Sequence, residues 1–265
     1  MSFGLVEQGM KWPTSVTLVR HAESAYNELR QKKREDSLYD AFLKAFELDH
    51  RSPEARRLAL EVKDRYTLDF SDFEMPLTEA GRNQARITGK HLHEVISPPD
   101  VIFYSPYRRT CDTLTEICGE WPGLKNVRMI EEDRIREQEH GLALLYNDRR
   151  VMHVLHPEQK ELRDLLGPYW YQQPQGESVS QVRDRARAVI TMLIRECAGQ
   201  RVLMITHHLM ILSWRANIER LTPAEFIRLD AEEEPVNCGI THYEGNPSAG
   251  NDGKLELKFY NKKLY

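Results

Sequence analysis

The sequence is poor in cysteine, in long apolar runs and in any surplus of one charge. Its four cysteines, Cys111, Cys118, Cys197 and Cys238, form no C-x-x-C pair and show no regular ligand spacing. That pattern argues against a structural zinc site and against a disulfide framework, so reduced, mostly buried thiols are expected. No apolar stretch approaches the about 20 residues of a membrane-spanning helix, and no membrane partner is expected. With 37 basic and 41 acidic residues the net charge is -4, which gives no broad footprint for nucleic acid. A small anionic substrate fits better. The opening residues, MSFGLVEQGMKWPTS, have neither the basic nor the apolar region of a secretory leader, so a cytoplasmic protein is expected. His91 and His93 stand two apart on a predicted helix and face different ways, so no metal site is read from them.

What is present alternates between two periods. SVTLVR, Ser15 to Arg20, reads as a buried strand that ends in the polar run His-Ala-Glu-Ser. Between about Ser37 and Phe70 two charged amphipathic stretches follow, one with Leu38, Phe42 and Phe46 at helical spacing and one opened by Ser52-Pro53 as N-cap and N1. Further helices are predicted over Thr78 to Val95, Tyr107 to Glu120 and Val179 to Ala198. Strands are predicted at Val101 to Tyr104, Val127 to Ile130, Arg201 to Thr206, Ile240 to Glu244 and Leu255 to Tyr260. Such alternation implies an α/β fold, a mostly parallel sheet covered on both faces, with ligands outside the carboxyl ends of the strands. Arg20-His21, Ser105 with Arg108 and Arg109, the acidic stretch with Glu137, and Thr206-His207-His208 all follow predicted strands. They are expected to meet in one crevice.

Two histidines, arginines and a carboxylic acid at one sheet edge suit phosphoryl transfer, which needs a nucleophile, charge stabilisation and a proton for the leaving oxygen. A neutral imidazole is a competent nucleophile near neutral pH, and His21, directly after a strand, is the candidate. Arg20, Arg109 and a protonated His207 are candidates for stabilising the transferring group without a metal. Glu137 is the candidate acid, kept partly protonated so that it can serve the leaving group and then activate water.

The motif LVRHAES-x-x-N at Leu18 to Asn27 resembles the signature of the histidine phosphatase superfamily, the phosphoglycerate mutase-like proteins. PLTEAGRNQA from Pro76, SPYRRTCDT from Ser105, IREQEHG from Ile135, QGESVSQVRDR from Gln175 and ITHHLMI from Ile205 resemble further family blocks in the family's order. LTPAEF from Leu221 and VNCGIT from Val236 are similar to its tail. The resemblance implies a three-layer α/β/α sandwich that forms a single domain over residues 1–265; the stretch over 30–73 is read as a helical insert in it, expected to form part of a lid. It implies that His21 takes the phosphoryl group, that Arg20, Asn27, Arg109 and His207 bind it, and that Glu137 is the proton donor. In SPYRRT it favours Arg109 over Arg108. Ser24 and His208 are expected to touch substrate, and no cofactor is expected.

Three features depart from the commonest pattern: Ala22 in place of glycine, His208 after His207, and the long separation of Asn27 from PLTEAG. Ala22 requires a turn that an L-residue accepts. The blocks around Glu137 and His207 are unlike those of phosphoglycerate mutases, so a phosphatase is favoured, with mutase-type transfer or non-catalytic binding of a phosphorylated ligand as alternatives. The substrate is expected to be a small phosphorylated molecule or a phosphoprotein, its choice governed by the insert and by the loop near Tyr146 to His156. A homodimer is expected, through exposed sheet edges or the helical insert.

Overall fold

The computed structural model describes residues 11–250 and 252–265; the Met1–Met10 stretch, on which much of the leader reading rests, lies outside them. One sheet of six strands runs in the order β3-β2-β4-β1-β5-β6. These strands are β1 (Ser15–Arg20), β2 (Val101–Tyr104), β3 (Arg128–Glu131), β4 (Arg201–Thr206), β5 (Ile240–Asn246) and β6 (Lys254–Lys262). The pairs β1/β4, β2/β4 and β2/β3 are parallel, whereas β5 joins β1 and β6 in antiparallel pairings.

Residue alternation along the central strands separates two cores. Val16, Leu18, Val101, Phe103, Val202 and Met204 point to one face. There they meet Val182, Ala186, Val189 and Leu193 of α8 (Val179–Glu196) and Met210, Ile211 and Trp214 of α9 (His208–Ile218). Val19, Ile102, Leu203 and Ile205 point to the other, against Ala85 and Leu92 of α4 (Glu79–Leu92) and Leu114 and Ile117 of α5 (Arg108–Glu120). The period of two and the apolar runs on both faces produce the expected three-layer α/β/α sandwich.

The predicted pair in the 37–70 region forms α2 (Ser37–Asp49) and α3 (Pro53–Arg65). They share a separate apolar cluster of Phe42, Phe46, Leu58 and Val62 with Val151 and Val154 of α6 (Arg149–Leu155). Helix α6 was not expected, nor were α1 (Ala25–Arg34), α7 (Pro157–Leu166) and α9. The remaining helix, α10 (Pro223–Glu232), opens with a capping box formed by Thr222 and Glu225. All four cysteine thiols are free.

Candidate active site

Strand register brings the site together. Arg20 on β1 pairs with Thr206 on β4, so the next residues, His21 and His207, leave neighbouring strands at the same level. Their rings lie 5.2 Å apart, centroid to centroid. Tyr104 pairs with Ile205, which sets Ser105 beside His207, and the Ser105 hydroxyl lies 2.8 Å from His207 Nε2. Thr206 donates to the Ile135 carbonyl at 2.7 Å, fixing the segment that leads to Glu137. Arg20, His21, Arg109, Glu137 and His207 are all buried at this end of the sheet.

His21 Nδ1 lies 2.7 Å from the Ala22 carbonyl oxygen. A carbonyl only accepts, so Nδ1 carries the proton and Nε2 keeps its lone pair. Burial, then Arg109 and Arg20, pushes His21 well below the ordinary imidazole range, which keeps it neutral near pH 7. Ala22 does not adopt a positive φ, so the turn accepts an L-residue. Its N–H donates to Thr113 Oγ1 at 2.9 Å.

His207 departs from expectation. It was read as protonated, yet burial and the charges of Arg109, His21 and Arg20 push it well below the ordinary range too. Its Nδ1 is buried without a hydrogen-bond partner among the described residues. Two arginines next to an imidazole penalise its proton, and a phosphoryl dianion between them would act in the opposite sense.

Both arginines are held by acids that carry no sequence signal. Arg109 Nη1 donates to the Asp72 carbonyl at 2.6 Å and to its carboxylate at 2.9 Å, and its guanidinium stacks 4.8 Å from the Tyr107 ring centroid. Arg20 donates to the Pro235 carbonyl and lies 3.5 Å from Glu234 Oε1. Arg30 Nη1 and His208 Nδ1 reach the same oxygen at 3.2 and 3.4 Å. Arg108 faces outward, toward Asp112 on its own helix.

The antiparallel pairing of β5 with β1 explains the second group. Val19 pairs with Ile240, so the residues just before β5 run beside Arg20 and His21. The Cys238 N–H donates to the Arg20 carbonyl at 3.1 Å, and Asn237 Nδ2 donates to the His21 carbonyl at 3.0 Å and to Asn27 Oδ1 at 3.2 Å. The VNCGIT block is therefore a brace for the nucleophile's turn.

Ser24 and Asn27 form the capping box of α1: the Ser24 N–H and hydroxyl both donate to Asn27 Oδ1, at 3.0 and 2.9 Å. Ser24, expected to touch substrate, is occupied with orienting Asn27. Asn27 lines a cleft of about 300 Å³ with Arg20, Arg30 and Glu234. His208, also expected at the substrate, lies between Asp230 and Glu234, with Nε2 2.7 Å from Asp230. Burial would lower it, but the two carboxylates outweigh burial and raise it.

Glu137 Oε1 accepts from the Gln138 and Leu209 N–H groups at 2.8 and 3.3 Å, while Oε2 accepts no hydrogen bond among the described residues. Its backbone is fixed by Arg185, which donates to the carbonyls of Arg134, Arg136 and Glu137 and pairs with Glu177 at 2.7 Å. The GES turn thus anchors the acid's loop.

Residues 70–251, more than half of the chain, match the family described as the histidine phosphatase superfamily, branch 1. The chain belongs to that superfamily. The matched stretch starts beyond the β1–His21 turn, which joins it through the register above. A phosphoglycerate mutase-like protein of Arabidopsis thaliana is 32% identical over 179 residues, 60% of this chain and 61% of that protein. A second one from the same plant is 33% identical over 144 residues, 52% of this chain and 43% of its own length. The chain thus spans less than two thirds of both. Phosphoserine phosphatase 1 of Hydrogenobacter thermophilus is 28% identical over 137 residues, 49% of this chain and 58% of its own. Among solved structures, a mycobacterial glucosyl-3-phosphoglycerate phosphatase with inorganic phosphate aligns with TM-score 0.63 at 16% identity, covering 95% of this chain and 98% of its own. A protein described as mycobacterial hydrolase 1 aligns at 0.65 and 18%, covering 94% and 99%. At such identities these two bear on the superfamily's fold alone.

Proposed function

We propose that this member of the superfamily is a phosphomonoesterase that works through a phosphohistidine on His21. The observation that carries the reading is the His21 Nδ1 contact with the Ala22 carbonyl, which leaves Nε2 as the free nucleophile beside Arg20, Arg109 and His207. In the first step the Nε2 lone pair attacks phosphorus and the ester P–O bond breaks. Glu137 gives its proton to the leaving oxygen. In the second, the Glu137 carboxylate takes a proton from water, the hydroxide attacks phosphorus, the P–N bond breaks and phosphate departs. The proton count closes, and His21 returns to its neutral form. Arg20, Arg109 and His207 offset the charge on the equatorial oxygens, and Asn27 adds a hydrogen bond. No step calls for a cofactor.

The chain is read as one domain acting in the cytoplasm on a small phosphorylated substrate, with α2 and α3 as part of a lid. The test is phosphate release from an aryl phosphate in the presence of a chelator, for the wild type and His21→Ala. The expected outcome is chelator-resistant release that falls at least about a thousandfold in the variant, near the loss of an essential nucleophile. Equal rates would remove His21 from its role. Formation of an isomer in place of free phosphate would identify a mutase.

A further inference from the structure

Asp72 lies on the segment between α3 and α4, near the end of the 30–73 insert and outside every block that resembles the family. It meets Arg109 twice. Nη1 of Arg109 donates to the Asp72 carbonyl at 2.6 Å and to its carboxylate at 2.9 Å. A guanidinium has five N–H donors, two of them on Nη1, so both Nη1 hydrogens are engaged by one residue. Nε and Nη2 donate to no acceptor among the described residues. These two form the side edge of the fork, whose parallel N–H groups fit two oxygens of a phosphoryl group.

The plane of the guanidinium is held as well. It lies over the Tyr107 ring, 4.8 Å from the centroid. Phe73, the next residue of the segment, stands edge-on to the same ring at 5.4 Å, and its carbonyl accepts from the Arg108 N–H at 2.9 Å. Tyr107 in turn stands edge-on to His207 at 5.2 Å. On the backbone side, the Arg109 carbonyl accepts from the Thr113 hydroxyl at 2.6 Å, and that hydroxyl accepts from the Ala22 N–H at 2.9 Å in the nucleophile's turn. Asp72 and Phe73 thus form a strap across the start of α5 that fixes Arg109 relative to His21 and His207.

The charge of Asp72 has the wrong sign for a binding role. Its side chain is 20% exposed and that of Arg109 5%. A carboxylate at this distance offsets part of the attraction that the guanidinium would exert on a phosphate, so it works against ground-state binding. Orientation has the opposite value. The equatorial oxygens of a phosphoryl group in transfer spread in one plane, and donors already aimed at them stabilise the transition state more than the bound ester.

We propose that Asp72 is a positioning residue for phosphoryl transfer: it holds Arg109 by Nη1 so that the Nε and Nη2 edge meets the equatorial oxygens. Resting on the phosphatase reading, this role requires no contact between Asp72 and the substrate.

The test compares Asp72→Ala, Asp72→Asn and Arg109→Ala with the wild type in aryl phosphate turnover, and in the affinities of inorganic phosphate and of vanadate, which on an imidazole mimics the five-coordinate transition state. Melting transitions are recorded for each. Asp72→Ala is expected to lower kcat and vanadate affinity together by roughly tenfold to a hundredfold, the scale of a misplaced catalytic group, while phosphate binds as well as to the wild type or better. Asp72→Asn keeps an acceptor at Oδ1 and should stay within about threefold of the wild type. In the Arg109→Ala background Asp72→Ala is expected to lower kcat no further, since the two act as one unit. An alanine variant with wild-type kcat, a phosphate affinity that falls in step with vanadate, an asparagine variant as impaired as the alanine one, or full additivity with Arg109→Ala overturns the role. Should Asp72→Ala fail to fold, Asp72→Glu keeps the charge but shifts the acceptor by one methylene. Vanadate affinity lost with phosphate affinity kept then supports positioning, and wild-type values for both overturn it. If the wild type turns over no ester, it is the phosphatase reading that fails, and the ratio of vanadate to phosphate affinity still decides the role of Asp72.

Discussion

At the residue scale, chemistry and support differ in how far they can be read from sequence. His21, Arg109, Glu137 and His207 are legible because each follows a strand or occupies an ordered motif, and register then brings them to one edge. Their partners are not, since Asp72 with Arg109 and Glu234 with Arg20 join segments that only tertiary packing makes neighbours. Ser24 shows what a signature does not reveal: a residue expected at the substrate donates its hydroxyl to Asn27. Replacing it by alanine removes an N-cap and is expected to cost about 1 kcal/mol of stability. Loss of the Asn27 clamp should raise KM more than it lowers kcat. A denaturation midpoint measured beside steady-state kinetics checks both, and unchanged values on both counts would return Ser24 to the substrate.

At the element scale, α4, α5 and α8 of the sandwich were visible through their period and caps, whereas α1, α6, α7 and α9 were not. Helix α1 carries few apolar residues; its one buried side chain is a lysine, Lys33. Lys33 Nζ donates to the Asn147 carbonyl at 2.7 Å, pairs with Asp148 at 3.4 Å and lies 5.7 and 5.5 Å from the Tyr39 and Tyr66 ring centroids. A buried ion pair replaces the apolar stripe that a sequence pattern detects. Lys33→Met keeps the stem but strands Asp148, with an expected loss of about 3 kcal/mol in a denaturant titration. Helix α4 presents a different constraint. A Cβ on Gly81 would stand 2.0 Å from the Glu23 carbonyl oxygen, two residues from the nucleophile. Gly81→Ala must therefore push the helix off the His21 turn, at a cost of about 2 kcal/mol or more, and should lower kcat as well. Retained activity with normal stability would show that this approach is not needed.

At the scale of the whole molecule, the buried histidines set how stability depends on pH. His21, His207 and His153 all have folded values below the ordinary one, each first through burial. As pH falls through about 6.5 the unfolded chain takes up these protons and the folded chain does not. Stability contributed by the three is thus present above about 6.5 and is lost progressively below it. His208 has the opposite sign: it is raised by Asp230 and Glu234, so its contribution is full below about 6.5 and is lost as pH rises through its folded value. The expected profile is a maximum near neutrality, with a steep acid limb and a shallow alkaline one. Urea midpoints at pH 5, 6 and 7, with the slope m held constant, measure it. In His153→Gln, whose side chain does not titrate, one acid-side term is gone, leaving those of His21, His140, His207 and His242, and the limb from pH 7 to 5 should flatten. An acid limb parallel to that of the wild type would mean that His153 takes up its proton in the folded protein as readily as in the unfolded chain.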